Sequence, residues 1–423
     1  MKAAFYECDV TPPLGGLFVG KASPTPAMDV LDRLYVKAVV FEEDGELAAM
    51  VSMDCCMVHK DLPDFVAKRV FEYTGIPAEK ITLTATHTHT GAPISSQELD
   101  TTCDDDAYQV VFFRLVADSV ILAYKRLGEA TAKIGTSIVD DVSFVRNYEV
   151  ADGKYITHGR GRDDIVRPIG KIDPTVSVLM VEREGTPIGA IVNFASHQDS
   201  VGRGGYSGDY SSIISKELKK VYGPDFVSLF LIGPCGNINH VNPDASVKCH
   251  SYTEIGKKLA VGALSAIADA KPVGYGVKMI KNTVRLTRRK LDNEALKAES
   301  MRLLSYLPNA FRVQRMLNYN SSVTSDTAEV NVSGVKIGNT CIYLLPGEIF
   351  SSYTFDLKER SPFDNNIVVE NTDQSIMYIP SEEVFVENSY MYETTLGTNC
   401  YEKGAGRKLV EGALEIGALL SVD

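Results

Sequence analysis

The chain contains no Cys-x-x-Cys motif, no basic run and no low-complexity segment, and no internal repeat is expected. Eight cysteines in 423 residues, two of them adjacent as Cys55 and Cys56, make no disulfide framework, so reduced thiols are expected. Lys and Arg number 43 against 55 Asp and Glu, a net charge of −12, which argues against nucleic acid or an anionic membrane as the main partner. No apolar run is read as long enough to span a membrane. The first residues, Met1-Lys2-Ala3-Ala4-Phe5-Tyr6-Glu7-Cys8-Asp9, lack the apolar centre of a signal peptide. These absences lead to the expectation of a cytoplasmic protein with no membrane partner. No linker divides the chain, so residues 1–423 are read as a single domain, with a homo-oligomer left open.

What is present suits a well-filled core: 44% of residues are hydrophobic and 23% charged. Residues 9–20 are turn-rich. Strand patterns at 34–41 and 47–53 flank the turn Glu42-Glu43-Asp44-Gly45. Residues 63–74 read as a helix closing at Gly75, and Asp104-Asp105-Asp106 opens a helix to about Leu127. Further strands are expected near 131–136, 176–182, 187–194 and 227–232, with a meander at 274–288 and 328–345. Helices are expected at about 208–222, 252–270, 293–306 and 405–421. Strands and helices mix without strict alternation, which predicts an α/β fold with a large mixed-sheet core flanked by helices.

Four segments could carry chemistry. The run Ile81-Thr82-Leu83-Thr84-Ala85-Thr86-His87-Thr88-His89-Thr90-Gly91 begins as a buried strand and ends in two histidines two positions apart. On one strand these would share a face, one holding a metal and the other moving a proton. They would equally be two polar residues at a strand end. A second apolar strand, Ile191-Val192-Asn193-Phe194-Ala195-Ser196, runs into His197, and glycines follow it. Glu348, straight after Leu345-Pro346-Gly347, is a carboxylate that needs a partner if buried: a metal, a helix cap or a salt bridge. The turn Gly233-Pro234-Cys235-Gly236-Asn237-Ile238-Asn239-His240 would offer backbone N–H groups to an oxyanion, or only a tight bend. His59, His158 and His250 have no comparable setting and read as surface or structural residues.

Taken together these segments resemble the neutral/alkaline ceramidase family in its N-terminal amidase domain. The likeness runs from Asp9-Val10-Thr11-Pro12-Pro13 through Val51-Ser52-Met53-Asp54, the His87–His89 segment, Arg146-Asn147 and Ile172-Asp173-Pro174. It continues through Asn193-Phe194-Ala195-Ser196-His197, Gly236-Asn237-Ile238-Asn239, Pro346-Gly347-Glu348, Tyr378-Ile379-Pro380 and Tyr392-Glu393. Each motif is weak alone, and their shared order is the argument. The resemblance implies one zinc ion held by His87, His197, Glu348 and Tyr378, with His89, Arg146 and Tyr392 lining the reaction site. Two imidazoles and a carboxylate would leave such an ion an open position. His89 would shuttle a proton, Tyr378 or Tyr392 would donate to an oxyanion, and Arg146 would orient a substrate oxygen.

Two departures from the family matter. Asn239 stands where the ceramidases carry a serine, so the expected attacker is metal-bound hydroxide, with Cys235 a minor alternative. The family's C-terminal β-sandwich domain has no counterpart, which points away from ceramide. The expected function is therefore a zinc-dependent hydrolase of a small soluble amide. An ester or lactone hydrolase, a metal-assisted lyase or isomerase and a non-catalytic metal-containing binding protein are the rivals. For the substrate, Arg160, Arg162 and Arg167, with Arg203 after His197, raise the option of an anionic group on a small polar molecule; otherwise they are solvated loop charges.

Overall fold

The computed structural model describes the whole chain except residues 22, 24, 95–105, 203, 307–309, 387–388, 390 and 423. Three sheets carry the fold, and four strands of each follow one order. In the first, β1 (Lys2–Asp9) lies antiparallel to β2 (Tyr35–Glu43), which forms a hairpin with β3 (Glu46–Met53). Helix α1 (Leu62–Thr74) then returns the chain to β4 (Ile81–Ala85), parallel to β3, and α2 (Asp106–Tyr124) packs beside α1.

The second sheet repeats this path. It uses β5 (Thr131–Ile138), β6 (Thr175–Arg183), β7 (Thr186–Phe194), α3 (Asp209–Tyr222), β8 (Val227–Ile232) and α4 (Tyr252–Ala268). The third begins with β9 (Val277–Thr287), then inserts a helical pair, α5 (Asn293–Tyr306) and α6 (Ala310–Ser322). It resumes with β10 (Thr327–Ile337), β11 (Thr340–Leu344), α7 (Ser352–Arg360), β12 (Asn365–Val369) and α8 (Ala405–Ser421). The expectation of no internal repeat is thus corrected: three sheets follow one connectivity. Two of the three hairpins turn on a residue pair with both φ positive, Asp44-Gly45 and Glu184-Gly185, the backbone that matches strand twist.

Alternation along the strands explains the layers. Val36, Ala38 and Val40 of β2 face α1 and α2, while Val39 and Phe41 face inward. Val178 and Met180 of β6 face α3 and α4, while Leu179 and Val181 face inward. Cys341 and Tyr343 of β11 face α7 and α8, while Ile342 and Leu344 face inward. The inner faces of all three sheets therefore share one central core, with a helical layer outside each. The mixed α/β class and helix-flanked sheets match the expectation. Helices α6 and α7 were not expected from the sequence; α5 was, between the two stretches of the meander. The start of α2 at Asp104-Asp105 lies outside the described residues. Residues Ala107–Tyr124 do have the length and hydropathy of a membrane span, contrary to the sequence reading; half of that stretch is buried here, with Phe112, Val116 and Val120 in the core.

At one end of the core the sheets are pinned to each other by polar side chains. Ser52 of β3 donates to the Phe230 carbonyl of β8 at 2.5 Å. Asn193, one place from the end of β7 as Ser52 is of β3, donates to the carbonyls of Leu231 and Val368 at 2.8 and 3.2 Å. Asp373, after β12, accepts from Leu83 N of β4 at 2.8 Å and pairs with Lys281 at 2.7 Å. Each sheet is so tied to the next. Asn193→Leu keeps the volume and removes both donations; we expect it to lower unfolding free energy by roughly 1–3 kcal/mol, read by denaturant titration.

Candidate metal centre

The pinned end is where the chain changes from strand to functional loop. In every sheet one parallel strand runs out into a candidate ligand: β4 into His87, β7 into His197, β11 into Glu348. Sites outside the carboxyl ends of parallel strands are the common arrangement in open α/β sheets.

The His87–His89 geometry differs from the sequence expectation. Strand β4 stops at Ala85, and His87 has φ +66°, so the pair does not share a strand face. The backbone is held there by His87 N donating to Cys55 O at 3.0 Å and His89 N donating to Gln198 O at 2.9 Å. The rings still converge, with centroids 4.9 Å apart and Nε2 atoms 3.5 Å apart.

His87 Nε2 and His197 Nε2 each lie 3.3 Å from Glu348 Oε2, and one ligand atom from each of the three residues falls within 4.8 Å of the others. All three are buried. On the far side of each ring, His87 Nδ1 meets Cys56 O at 2.7 Å and His197 Nδ1 meets Cys235 O at 2.9 Å. A carbonyl can only accept, so each Nδ1 carries hydrogen, leaving Nε2 lone pairs aimed at one point. Glu348 Oε2 is buried, and the two Nε2 atoms are the polar neighbours it faces. Two lone pairs and a carboxylate oxygen facing one another are repulsive until a cation or proton sits between them. The donor set fits a divalent ion of the zinc kind. Cys56, His87 and His89 form a second possible grouping. We favour the first, because there two Nε2 atoms and a buried carboxylate oxygen converge.

Without an ion, charge settles unevenly over this cluster. Burial disfavours imidazolium at His87, but Cys56 and Glu348 hold its pKa well above the ordinary value. Burial likewise opposes the charge on Glu348, yet His87 and His197 hold its carboxyl well below the ordinary range. His197 is pushed down to about 4 by burial and then by Arg146, and His89 to about 3 by burial, with Asp199 opposing.

The remaining expected site residues line one cavity of about 520 Å³ with the three ligands. Tyr378 Oη lies 3.2 Å from His197 Nε2, its ring parallel to the imidazole. Burial pushes its phenol well above the usual pKa, so it is a protonated donor. Arg146 sits over the Tyr378 ring, pairs with buried Glu393 at 2.8 Å and donates to Gly236 O at 2.8 Å. Tyr392 meets Tyr378 edge-on at 5.7 Å. Asn239 is on the wall, its Oδ1 accepting from Val241 N at 3.0 Å. Cys235 is behind His197, donating to Glu370 at 3.0 Å; burial and Glu370 push its thiol well up, which removes it as nucleophile. A second cavity of about 510 Å³ surrounds Lys37 and Asp54 between the first two sheets and reaches none of the three ligands.

Two sequence readings are corrected. The loop arginines do not enter the cavity: Arg160 clamps the carbonyls of Asn242, Asp244, Ala245 and Val247, Arg162 pairs with Asp164, and Arg167 pairs with Glu149. Arg203 lies outside the described residues. His158, read as remote, lines the cavity because its N–H donates to Arg146 O at 2.7 Å, which carries it in beside that residue. Sequence reasoning missed Lys21, Arg312 and Arg315, which also line the cavity, and Glu370 behind the ligands. Glu370 had a signal, being a carboxylate straight after an apolar strand, as Glu348 is. The arginines of α6 had none.

No protein-family model matches this chain, and no curated protein matches it. Solved structures do. A neutral ceramidase from Pseudomonas aeruginosa superposes on 100% of this chain and 75% of its own, with TM-score 0.74 and 18% identity. A ceramidase complexed with C2 superposes on 99% of this chain and 75% of its own, with TM-score 0.74 and 16% identity. The chain therefore has a neutral-ceramidase-like fold, as the ordered motifs implied.

A divalent ion must displace the proton that His87 keeps at neutral pH. We expect zinc binding to release about one proton and to tighten as pH rises, read by calorimetry in buffers of different ionisation heat. Glu348→Gln should weaken the ion by at least about 100-fold.

Proposed function

We propose that this protein is a zinc-dependent hydrolase of a small, soluble, linear amide. The observation that carries the reading is Glu348 Oε2, buried on the cavity wall with His87 Nε2 and His197 Nε2 each 3.3 Å away and converging on it. The solved neighbours, ceramidases, are named for cleaving an amide, which supports the reaction class. A small, polar substrate is supported by the lining, where among the described residues Met57, Val201, Val241 and Met377 are the aliphatic side chains beside many charged and imidazole groups.

His87, His197 and Glu348 would hold the ion, with Tyr378 at its edge. When bound, it would polarise a carbonyl and lower the pKa of a coordinated water to about 7. Burial keeps His89 neutral and makes it a weak base; its ring, with Nδ1 buried and without a hydrogen bond among the described residues, is nevertheless the imidazole placed beside the three would-be ligands to relay a proton to the leaving nitrogen. Tyr378 keeps its proton and donates it in a hydrogen bond to the developing oxyanion. Arg146, fixed by Glu393, holds the Tyr378 ring from its face. Asn239 cannot act as a hydroxyl nucleophile; its side-chain amide instead helps seat the substrate.

The test is turnover of short N-acyl amides, esters and lactones by zinc-loaded protein. Amide cleavage is expected, falling by about 10²–10⁴-fold in His89→Gln with zinc content unchanged. No cleavage of any amide by the loaded protein would overturn the reading.

A further inference from the structure

In each repeat the connection from the first strand to the second leaves from the ligand end. These three connections wall the cavity. The first brings Lys21, the second Arg146 and His158, and the third, through α6, Arg312 and Arg315. Among the described residues, four cationic side chains thus line a cavity that holds two carboxylates, in a protein whose net charge is −12. Both carboxylates are already engaged: Asp199 pairs with Lys21, and Glu348 faces the imidazoles. Arg146 is paired with Glu393. The Arg312 guanidinium lies 4.4 Å over the Tyr392 ring, and among the described residues no carboxylate pairs with it. Arg315 reaches the same tyrosine from one helical turn on, its Nη1 3.3 Å from Tyr392 Oη. Tyr392 touches Tyr378, and Tyr378 touches His197. Two aromatic rings therefore separate this guanidinium from the ligands.

We infer that Arg312 is a specificity residue: it binds an oxyanion group, carboxylate or phosphate, carried by the amide substrate several bonds from the scissile carbonyl. This rests on the hydrolase reading for the word substrate, and on charge placement alone for the anion. The guanidinium fork suits such a group, and the stacked tyrosine orients the fork while leaving its N–H edge available. The metal end sets which bond reacts, and the α6 end sets which molecules stay long enough.

The test is calorimetric binding to the zinc-loaded full-length protein. The probes are N-acetyl-6-aminohexanoate, N-acetyl-O-phosphoethanolamine and the neutral N-acetyl-6-aminohexanamide. At least one anion should bind about tenfold or more tightly than the neutral amide, with a preference that shrinks as salt is raised. The better anion tells carboxylate from phosphate. In Arg312→Gln the anion-to-neutral ratio should fall to about one, and in Arg312→Lys it should be intermediate. Where turnover is seen, the loss should fall on KM and spare kcat. Equal binding of all three probes, or an unchanged ratio in Arg312→Gln, would overturn the assignment. Anion preference without cleavage leaves this site standing and defeats the hydrolase reading; cleavage without preference does the reverse.

Discussion

A carboxylate oxygen, buried against the converging Nε2 atoms of two imidazoles, is the constraint around which this molecule is arranged. Such an arrangement is costly in a dry interior, and several layers of structure are needed to keep it. Backbone carbonyls fix both imidazole tautomers from behind. Backbone at unfavourable φ angles, at His87, His158, Asn371, Asp373 and Met377, gathers in the loops around it. Three sheets, pinned pairwise by Ser52, Asn193 and Asp373, stop those loops from moving apart. A single sheet would place neighbouring strand ends side by side; three sheets around one core let their strand ends face a common point.

The repeat explains how that point is shared. Each sheet presents two strand ends at it, the closing strand of the hairpin and the parallel strand beside it. The first sheet uses the parallel strand for its ligand, His87, and supplies Cys56 from the other. The second and third use the hairpin strand, for His197 and Glu348, and set Cys235 and Glu370 behind them. Six equivalent positions have thus been divided between ligation and support. Burial raises Glu370 to about 8, so at neutral pH it is mostly protonated, adding little negative charge beside Glu348.

The sequence made the strand ends readable because an apolar run that stops at a histidine or glutamate is a strong local signal. It placed β2, β3, β5 to β8 and α1, α3, α4 and α8 close to where they lie, through periodicity and turn residues. It misread the His87 backbone because a Thr-rich run looks extended until φ is known. It could not show the threefold path, since strands conserve pairing geometry rather than residue type. Among the described residues, the arginines it singled out as an option do not line the cavity, for a related reason. Arg160 and Arg162 sit in a glycine-containing loop that looks like a binding loop, but their partners are carbonyls and a carboxylate of nearby loops. Arg312 sits in a helix with no motif, and tertiary packing alone brings it to Tyr392.

Placement of the insertions follows from the same geometry. In an order of first strand, hairpin, helix and parallel strand, the hairpin turn falls at the far end, and the first-to-second connection falls at the ligand end. That connection can lengthen without disturbing the core, since both its ends are fixed in strands. The short strands around Arg146 and His158, the turn-rich stretch around Lys21 and the helices α5 and α6 are three solutions to one topological opportunity. The ligands come from the invariant part of the path and the cavity wall from its variable part. A fold built this way can keep one metal chemistry while changing the charge and shape of the molecule it admits, and here the wall is cationic in an acidic protein.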